Sequence, residues 1–151
     1  LSHLYYGAKK VFWYEMADEP FGPNNPESFF GILRFNESLS VKPSAVAFSN
    51  MVNNYRHAIP VGKYVGQSYG FAYDNQGKNQ LCLWTEKDSK EETLYLPNTK
   101  KVNVIDIFGR VQQLKVLNGK VVITIGYLPI TITGFDQDDF TGLYTPRKVV
   151  K

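Results

Sequence analysis

The stretch KVLNGKVV, residues 115–122, carries the clearest indication of fold in this sequence. Runs of β-branched and other apolar residues lie on both sides of Asn118-Gly119. A two-residue turn of the primed type needs positive φ at both central positions, and Asn followed by Gly adopts these angles with little strain. We therefore predict a β-hairpin whose first strand ends at Leu117 and whose second strand begins at Lys120.

Further β-type segments lie on both sides of this hairpin. Between Tyr64 and Gly134, short runs rich in Val, Ile, Thr and aromatic residues are separated by Gly, Asn, Asp or Pro. Several short strands at such spacing are typical of a β-sandwich or a barrel. The runs comprise residues 69–73, 80–85, 93–96, 101–107, 111–117, 120–125 and 130–133.

The residues before Tyr64 follow a different pattern. Lys10–Met16, KVFWYEM, is a compact run of β-branched and aromatic residues and predicts a strand with little exposed surface. A loop rich in Gly, Pro and Asn follows it. From Pro43 to about Tyr55 apolar residues recur at helical spacing, and Pro43 suits the first turn of a helix. Ile59–Gly62 is interpreted as a short linker.

These patterns divide the chain into three parts. Residues 1–60 are expected to hold a strand, a loop and a helix, and residues 61–134 an antiparallel β-sandwich, whereas residues 135–151 show no clear period and stay unassigned. One strand and one helix cannot bury both faces of residues 11–16, so either the rest of a longer polypeptide or the sandwich must cover them.

The chain begins with Leu rather than Met and lacks a signal-peptide pattern, so we expect it to be a processed or excised segment.

Composition and charge exclude several classes of partner. The chain has 151 residues, of which 43% are hydrophobic and 15% aromatic, enough to build a core. Its 17 basic and 14 acidic residues give a net charge of +3, and the basic residues are scattered, unlike those of a nucleic-acid-binding surface. No stretch approaches the ~20 apolar residues that span a bilayer. We therefore expect neither a nucleic-acid nor a membrane partner.

The ligand-forming residues indicate no metal site and no cofactor. Cys82 is the single cysteine, so an internal disulfide and a Cys-based metal site are both excluded. It lies in an apolar run, where a small buried residue is expected. His3 and His57 lack the spacing of zinc ligands and are expected at the surface or at helix ends.

Several short sequence segments, in the order in which they occur along the chain, resemble the end of a clan A glycoside hydrolase. In these (β/α)8 enzymes the eighth strand often ends in a Phe-Trp-Tyr run, and a later Gly-Leu-Leu leads to Lys-Pro before the eighth helix. The small sandwich appended to such barrels ends in a similar Pro-x-x-Ile-x-Gly phrase. The corresponding stretches are residues 10–16, 31–33, 42–48, 81–85, 104–109, 117–120 and 128–134.

The resemblance implies a fold and an activity. The fold would be mainly β, an antiparallel C-terminal β-sandwich preceded by a βα remnant of a (β/α)8 barrel. The activity would be retaining hydrolysis of O-glycosidic bonds in a poly- or oligosaccharide by two glutamates about 5 Å apart. Both glutamates would lie upstream of Leu1, so we expect no catalytic residue and no hydrolysis in this chain alone. The implied partners are carbohydrate and the remainder of the parent barrel, and the substrate class implies a secreted or periplasmic location.

Trp13, Glu15 and Asp18 are the candidate substrate-binding residues. Strand alternation would place Trp13 and Glu15 on one side. In the resembling enzymes a Trp at the end of the eighth strand commonly forms the floor beneath the sugar, although a core Trp in the barrel interior is the alternative. Glu15 and Asp18 follow the strand end, where sugar hydroxyls would lie, or else they are solvated or pair with Arg34. For the whole chain, the alternative function is a non-catalytic carbohydrate-binding or interaction module.

Other motifs are interpreted as structural. Residues 66–70, GQSYG, match the nucleophile elbow of serine hydrolases, but a strand rather than a helix is predicted after Ser68, and both histidines precede it. Residues 106–109 are expected to form a turn, since a Gly after a strand most simply reverses the chain. Trp84 and Tyr95 are expected in the core or at an interface.

Overall fold

The computed structural model describes residues 2–20, 22, 24–36 and 38–148. Three helices and nine strands lie within these residues, together with a 3₁₀ turn at Pro26–Phe29. The helices are α1 Ser2–Tyr5, α2 Pro43–Tyr55 and α3 Gln137–Thr141. The strands are β1 Ala58–Tyr64, β2 Tyr69–Asn75, β3 Lys78–Trp84, β4 Lys90–Tyr95, β5 Lys101–Ile105, β6 Val111–Lys115, β7 Lys120–Ile125, β8 Ile130–Thr133 and β9 Tyr144–Pro146.

Two antiparallel sheets form a sandwich. The larger sheet has the strand order β6-β5-β8-β3-β2-β1-β9, and the smaller one pairs β4 with β7. Alternate residues of each strand point into the space between the sheets, as the two-residue period of a strand requires. The mainly β, antiparallel fold class predicted from the sequence is thus confirmed. The buried residues between the sheets include Leu81, Leu83, Leu94, Val121, Ile123, Ile125 and Ile132.

Helix α2 packs against the outer face of the larger sheet. The ring of Tyr55 lies 5.1 Å from that of Tyr73, and its hydroxyl is 2.6 Å from Thr131 Oγ1. Burial raises the pKa of Tyr55 well above its ordinary value, so this hydroxyl is neutral. Cys82 lies in the same cluster, fully buried, and burial raises its thiol pKa to about 12. The outer face of the sheet therefore has a second, smaller core.

The turn after β5 also contacts α2. Asn50 Nδ2 donates to Ile107 O at 3.3 Å, and Gly109 has a φ of 82°. A Cβ at Gly109 would lie 2.9 Å from Asn50 Oδ1, so glycine serves both the turn and the close approach to the helix. The structural interpretation of residues 106–109 is confirmed.

The structure confirms the predicted helix and corrects the predicted strand before it. Helix α2 has the predicted bounds and carries Pro43 in its first turn. Residues 10–16 form no strand, and most of their side chains are exposed. A strand needs a neighbour along its whole length to pair its backbone groups, whereas the backbone bonds of this segment to Ile32 and Leu33 begin at Glu15, near its end, and lead into the isolated bridge of Ala17 with Leu33.

The turn at Asn118-Gly119 forms as predicted, but the predicted hairpin is wrong. Asn118 and Gly119 have φ of 50° and 70°, and Leu117 and Lys120 exchange two backbone hydrogen bonds of 2.9 and 3.0 Å. Strand β6 nevertheless pairs with β5, whereas β7 pairs with β4 in the other sheet. The turn therefore carries the chain from one sheet of the sandwich to the other.

Two further segments differ from expectation. The predicted linker Ile59–Gly62 lies within β1. The unassigned tail contains α3 and β9, and β9 forms the edge of the larger sheet by pairing with β1; residues 149–151 lie outside the described part. Neither short element has a sequence period long enough to reveal it. Among the described residues, none of the helices is both long and apolar enough to cross a membrane.

Candidate functional site

The loop that carries the candidate residues is held together by local contacts. Lys42 Nζ lies 2.7 Å from Asp18 Oδ1 and donates to Phe29 O at 3.0 Å. The backbone nitrogens of Asp18 and Leu33 donate across the loop to Leu33 O and Met16 O at 2.9 and 3.0 Å. A Cβ at Gly31 would lie 2.1 Å from the Asp18 nitrogen, so this crossing requires glycine. The candidate residues therefore lie on a loop that hydrogen bonds between its two sides hold in place.

Trp13 is held at one edge and open on the rest of its surface. Its Nε1 donates to Phe30 O at 3.3 Å, and its ring centroid lies 6.0 Å from that of Phe48 on α2. The residue nevertheless keeps 54% of its surface exposed. An indole with a satisfied N–H and an open surface can stack against an apolar ligand face.

Glu15 and Asp18 have different environments. Glu15 is half-buried and is joined to Tyr14 by a cis peptide bond. The backbone carbonyl of Glu15 accepts a hydrogen bond from Ile32 N at 3.3 Å. The Asp18 carboxylate is paired with Lys42, whereas Arg34 donates to Val41 O at 3.4 Å. The alternative that Asp18 pairs with Arg34 is therefore wrong, because the Asp18 carboxylate pairs with Lys42 instead.

An apolar surface surrounds Trp13, and we call it the loop face. Phe12 is 85% and Tyr14 64% exposed, and the Tyr14 ring lies 6.5 Å from that of Phe30. Soluble domains seldom expose so many large apolar side chains together unless a partner covers them. The exposed apolar residues of the loop and of the neighbouring α2 are Val11, Phe12, Trp13, Tyr14, Met16, Phe29, Phe30, Phe35, Val46, Met51 and Val52.

Ser68 supports a buried carboxylate rather than forming a nucleophile. Ser68 Oγ donates to Glu92 Oε2 at 2.6 Å, and Gln67 N and Tyr64 OH donate to Glu92 Oε1 at 3.0 and 3.1 Å. Burial raises the pKa of Glu92, but these hydrogen bonds, with the positive charge of Lys90, outweigh it and hold the pKa below its ordinary value. Strand β2 follows Ser68, as predicted, so the elbow motif carries no catalytic meaning.

A second buried carboxylate anchors the tail. Asp139 Oδ2 accepts from Thr99 N and Thr99 Oγ1, both at 2.7 Å, and from Asn98 N at 3.0 Å. Each of its described partners is a neutral donor, so the carboxylate stabilises the loop after β4 without forming a salt bridge. Among the described residues no cluster of three or more His, Cys, Asp or Glu side chains is arranged to hold a metal.

Sequence reasoning missed the residues that support Trp13. Phe30 and Phe48 lie 17 and 35 positions further along the chain, and no local period connects them with Trp13. Tyr95 was expected in the core or at an interface; it does not lie in the core, because it is exposed on β4 with Lys120 Nζ 5.2 Å from its ring centre. Trp84 is half-buried, as a residue at the border of the core. His3 and His57 are exposed, as predicted.

The described residues thus form an antiparallel β-sandwich with a helix and an aromatic loop on one face. No family model matches the sequence, and no curated protein matches it. A solved structure of a family 39 glycoside hydrolase from the gut symbiont Bacteroides cellulosilyticus WH2 is similar, with a TM-score of 0.70 and 26% identity. The match covers 82% of this chain and 26% of that chain. This chain is therefore related to a glycoside hydrolase and spans about a quarter of that protein's length.

Proposed function

We propose that this chain is the carboxy-terminal part of a retaining clan A glycoside hydrolase that cleaves O-glycosidic bonds of a poly- or oligosaccharide. Residues 1–60 would complete a (β/α)8 barrel, and the sandwich would buttress it. The catalytic glutamates would lie upstream of Leu1, and the parent enzyme would act in a secreted or periplasmic location.

The loop face is the observation that carries this proposal. Its exposed aromatic residues extend along the segment that resembles the eighth barrel strand, and exposed Val and Met side chains continue the apolar surface onto α2, which resembles the eighth helix. Neighbouring strands and helices of a barrel would cover such a surface. The partial coverage of the family 39 structure supports the same proposal, because most of that protein has no counterpart in this chain.

Trp13, Glu15 and Asp18 have distinct proposed roles. Trp13 would stack against the apolar face of a pyranose, since its N–H is already satisfied and its ring is open. Glu15 would accept hydrogen bonds from sugar hydroxyls. Asp18 would do so through the oxygen that Lys42 does not contact, and the lysine would hold the carboxylate in place.

The test is to determine the coding sequence upstream of Leu1 and to express the encoded protein. We expect a barrel sequence with glutamates at the ends of its fourth and seventh strands, and hydrolysis of aryl glycosides by the longer protein but not by this chain. In the longer protein, Trp13→Ala should lower kcat/KM roughly tenfold or more, as expected from the loss of one buried aromatic contact. Tyr95→Ala, on an exposed position of β4, is the matched control.

Two results would count against the proposal. The enzyme assignment fails if the upstream sequence lacks glutamates at strand ends. If this chain instead binds neutral oligosaccharides through Trp13 without any upstream barrel, the alternative of a non-catalytic carbohydrate-binding module is correct.

A further inference from the structure

The outer face of the larger sheet has a half that α2 does not cover. Strand alternation places Lys63 beside Phe71 of β2 on this face, and Lys63 also pairs with Thr145 of β9. Phe71 stacks at 4.3 Å on Tyr5 of α1. Tyr5 buries Phe71, and this part of the sheet thus combines aromatic rings with the basic residues of its β1–β9 edge.

Four aromatic rings form a continuous row on this surface, which we call the ring strip: Tyr5, Phe71, Trp84 and Tyr69. The centroids of Phe71 and Trp84 are 5.6 Å apart, and those of Trp84 and Tyr69 are 6.1 Å apart. Trp84 and Tyr69 face each other across β2 and β3 and are inclined by only 23°. Tyr69 is 46% exposed, so the strip opens to solvent at this end. Phe71 is buried, so the exposed Tyr69 and the half-buried Trp84 are the rings of the strip that can stack on a ligand.

A basic cleft of about 720 Å³ adjoins the other end of the ring strip. Its lining includes Tyr5, Tyr6, Lys63, Arg147 and Lys148, and none of the described residues that line it is acidic. The Arg147 guanidinium lies 5.6 Å from the Tyr5 ring centre in a cation–π arrangement. This contact positions the guanidinium while leaving its N–H donors available to a ligand. Among the described residues, none of these three cations forms a salt bridge. The cleft is therefore complementary to a negative charge.

We propose that the basic cleft and the ring strip together bind an acidic oligosaccharide that bears carboxylate groups. Pyranose rings would lie on Trp84 and Tyr69, and a uronate carboxylate would meet Arg147 and Lys63, with Tyr5 holding the guanidinium in place. A planar guanidinium recognises a carboxylate through two parallel hydrogen bonds, which makes Arg147 the residue that selects for charge. None of these residues belongs to the loop face, so the surface is a second sugar site, separate from the one around Trp13.

The two ends of the surface differ in charge. At the Tyr69 end, the neighbouring Glu86 carboxylate raises the pKa of the Tyr69 hydroxyl. That end therefore suits uncharged sugar hydroxyls, and the carboxylates are expected at the Arg147 end. The choice of a sugar as ligand rests on the proposed function, whereas its negative charge rests on the cleft alone.

Calorimetric titration of the 151-residue chain with tetragalacturonate tests the proposal. The fully methyl-esterified tetrasaccharide is the matched probe, because it keeps the rings and removes the charge. We expect tetragalacturonate to bind, the ester to bind about tenfold more weakly, and added salt to weaken binding of the acid. Arg147→Gln should cost about tenfold in Kd, Arg147→Lys less, and Tyr69→Ala should also weaken binding. Lys120→Ala, a cation over Tyr95 on the other sheet, should have no effect.

Several outcomes would overturn the proposal. The proposal is wrong if tetragalacturonate does not bind, or if the ester binds as tightly as the acid. It is also wrong if the Arg147 and Lys120 variants lose equal affinity for tetragalacturonate. A polyglutamate peptide carries charge without sugar, so its binding as tightly as tetragalacturonate would have the same meaning. If the longer parent protein hydrolyses glycosides but no longer binds at Arg147, the cleft is covered and only this proposal fails. If Arg147-dependent binding persists without any hydrolysis by the parent, only the proposed function fails.

Discussion

Glu92 and Asp139 are carboxylates that the fold buries, a situation that costs free energy unless each oxygen is hydrogen-bonded. The donors to Glu92 come from the last residue of β1 and the connection to β2, and those to Asp139 from the loop after β4. These partners lie 24 and 40 positions away along the chain. No local pattern in the sequence could therefore identify them, although the acidic residues of the tail were visible as a group.

We predict that Glu92→Gln destabilises the protein by about 1–3 kcal/mol at pH 7. The amide NH2 of the glutamine is itself a hydrogen-bond donor, so it would face the donors of Ser68 and Gln67 and could not accept from them. The folded-state pKa of Glu92 is below its ordinary value of 4.5. Its contribution to stability is therefore complete above that value and is lost as pH falls through the lowered folded-state pKa. Urea unfolding at pH 7 and at successively lower pH should show the difference between the two proteins shrinking in acid.

The neighbouring residue provides the control for this prediction. Glu91 is exposed on the same strand, and Glu91→Gln should change the free energy of unfolding by less than about 0.5 kcal/mol. Equal losses for the two variants at pH 7, or a loss for Glu92→Gln that does not depend on pH, would contradict the assigned network.

At the scale of elements, local signals predicted where the strands lie but not which strands pair. Strands β7 and β8 have the predicted bounds, and the other predicted runs overlap their strands. Asn118 and Gly119 determine the backbone angles of one turn, and a turn alone does not decide which sheet each flanking strand joins. Pairing depends on which faces meet across the core, and contacts between residues distant in sequence decide that.

An engineered disulfide distinguishes the observed pairing from a hairpin. Thr93 and Val122 are opposite each other in β4 and β7, and both are exposed. We expect Thr93→Cys with Val122→Cys to form a disulfide on mild oxidation, since Cβ atoms of facing residues in antiparallel strands lie within bonding range. Non-reducing mass spectrometry after digestion would identify the bond.

The control pair uses the register that a hairpin would impose. A two-residue turn at Asn118-Gly119 would place Lys115 opposite Val122, so Lys115→Cys with Val122→Cys should remain reduced in the sandwich. Cys82 should not interfere, because burial raises its thiol pKa to about 12. Efficient bonding of the control pair alone would overturn the assignment of β6 and β7 to different sheets.

For the molecule as a whole, the sequence predicted a mainly β sandwich with a preceding helix, and the structure has both. Residues 10–16 illustrate the limit of that approach. Their composition predicts a buried strand, but burial requires neighbours, and none of the described elements covers Phe12 or Tyr14. The candidate site was predictable as a segment, through the resemblance at Trp13, whereas its bracing by Phe48 and Lys42 depends on tertiary contacts.

The exposed loop face should bind apolar probes in the isolated chain. We predict that Phe12→Ser with Tyr14→Ser lowers the fluorescence of the dye ANS and reduces self-association in light scattering, because it removes two of the most exposed rings. Stability should change by less than about 0.5 kcal/mol per site, since neither side chain is buried. Tyr127→Ser, at an exposed position before β8, should leave the dye signal unchanged. An equal decrease for the control would mean that the loop face is not the apolar surface that binds the dye.

The pairing of β1 with β9 has a consequence for the order of folding. Gly62 lies opposite Pro146, so this contact closes a long loop that includes most of the sandwich. Closing such a loop is slow, and a fold rich in such distant pairings forms more slowly than one built from local contacts. Until β9 arrives, the outer edge of β1 has unpaired backbone groups that can recruit a strand from another molecule. The time between formation of β1 and docking of β9 is therefore when this protein is most vulnerable to aggregation.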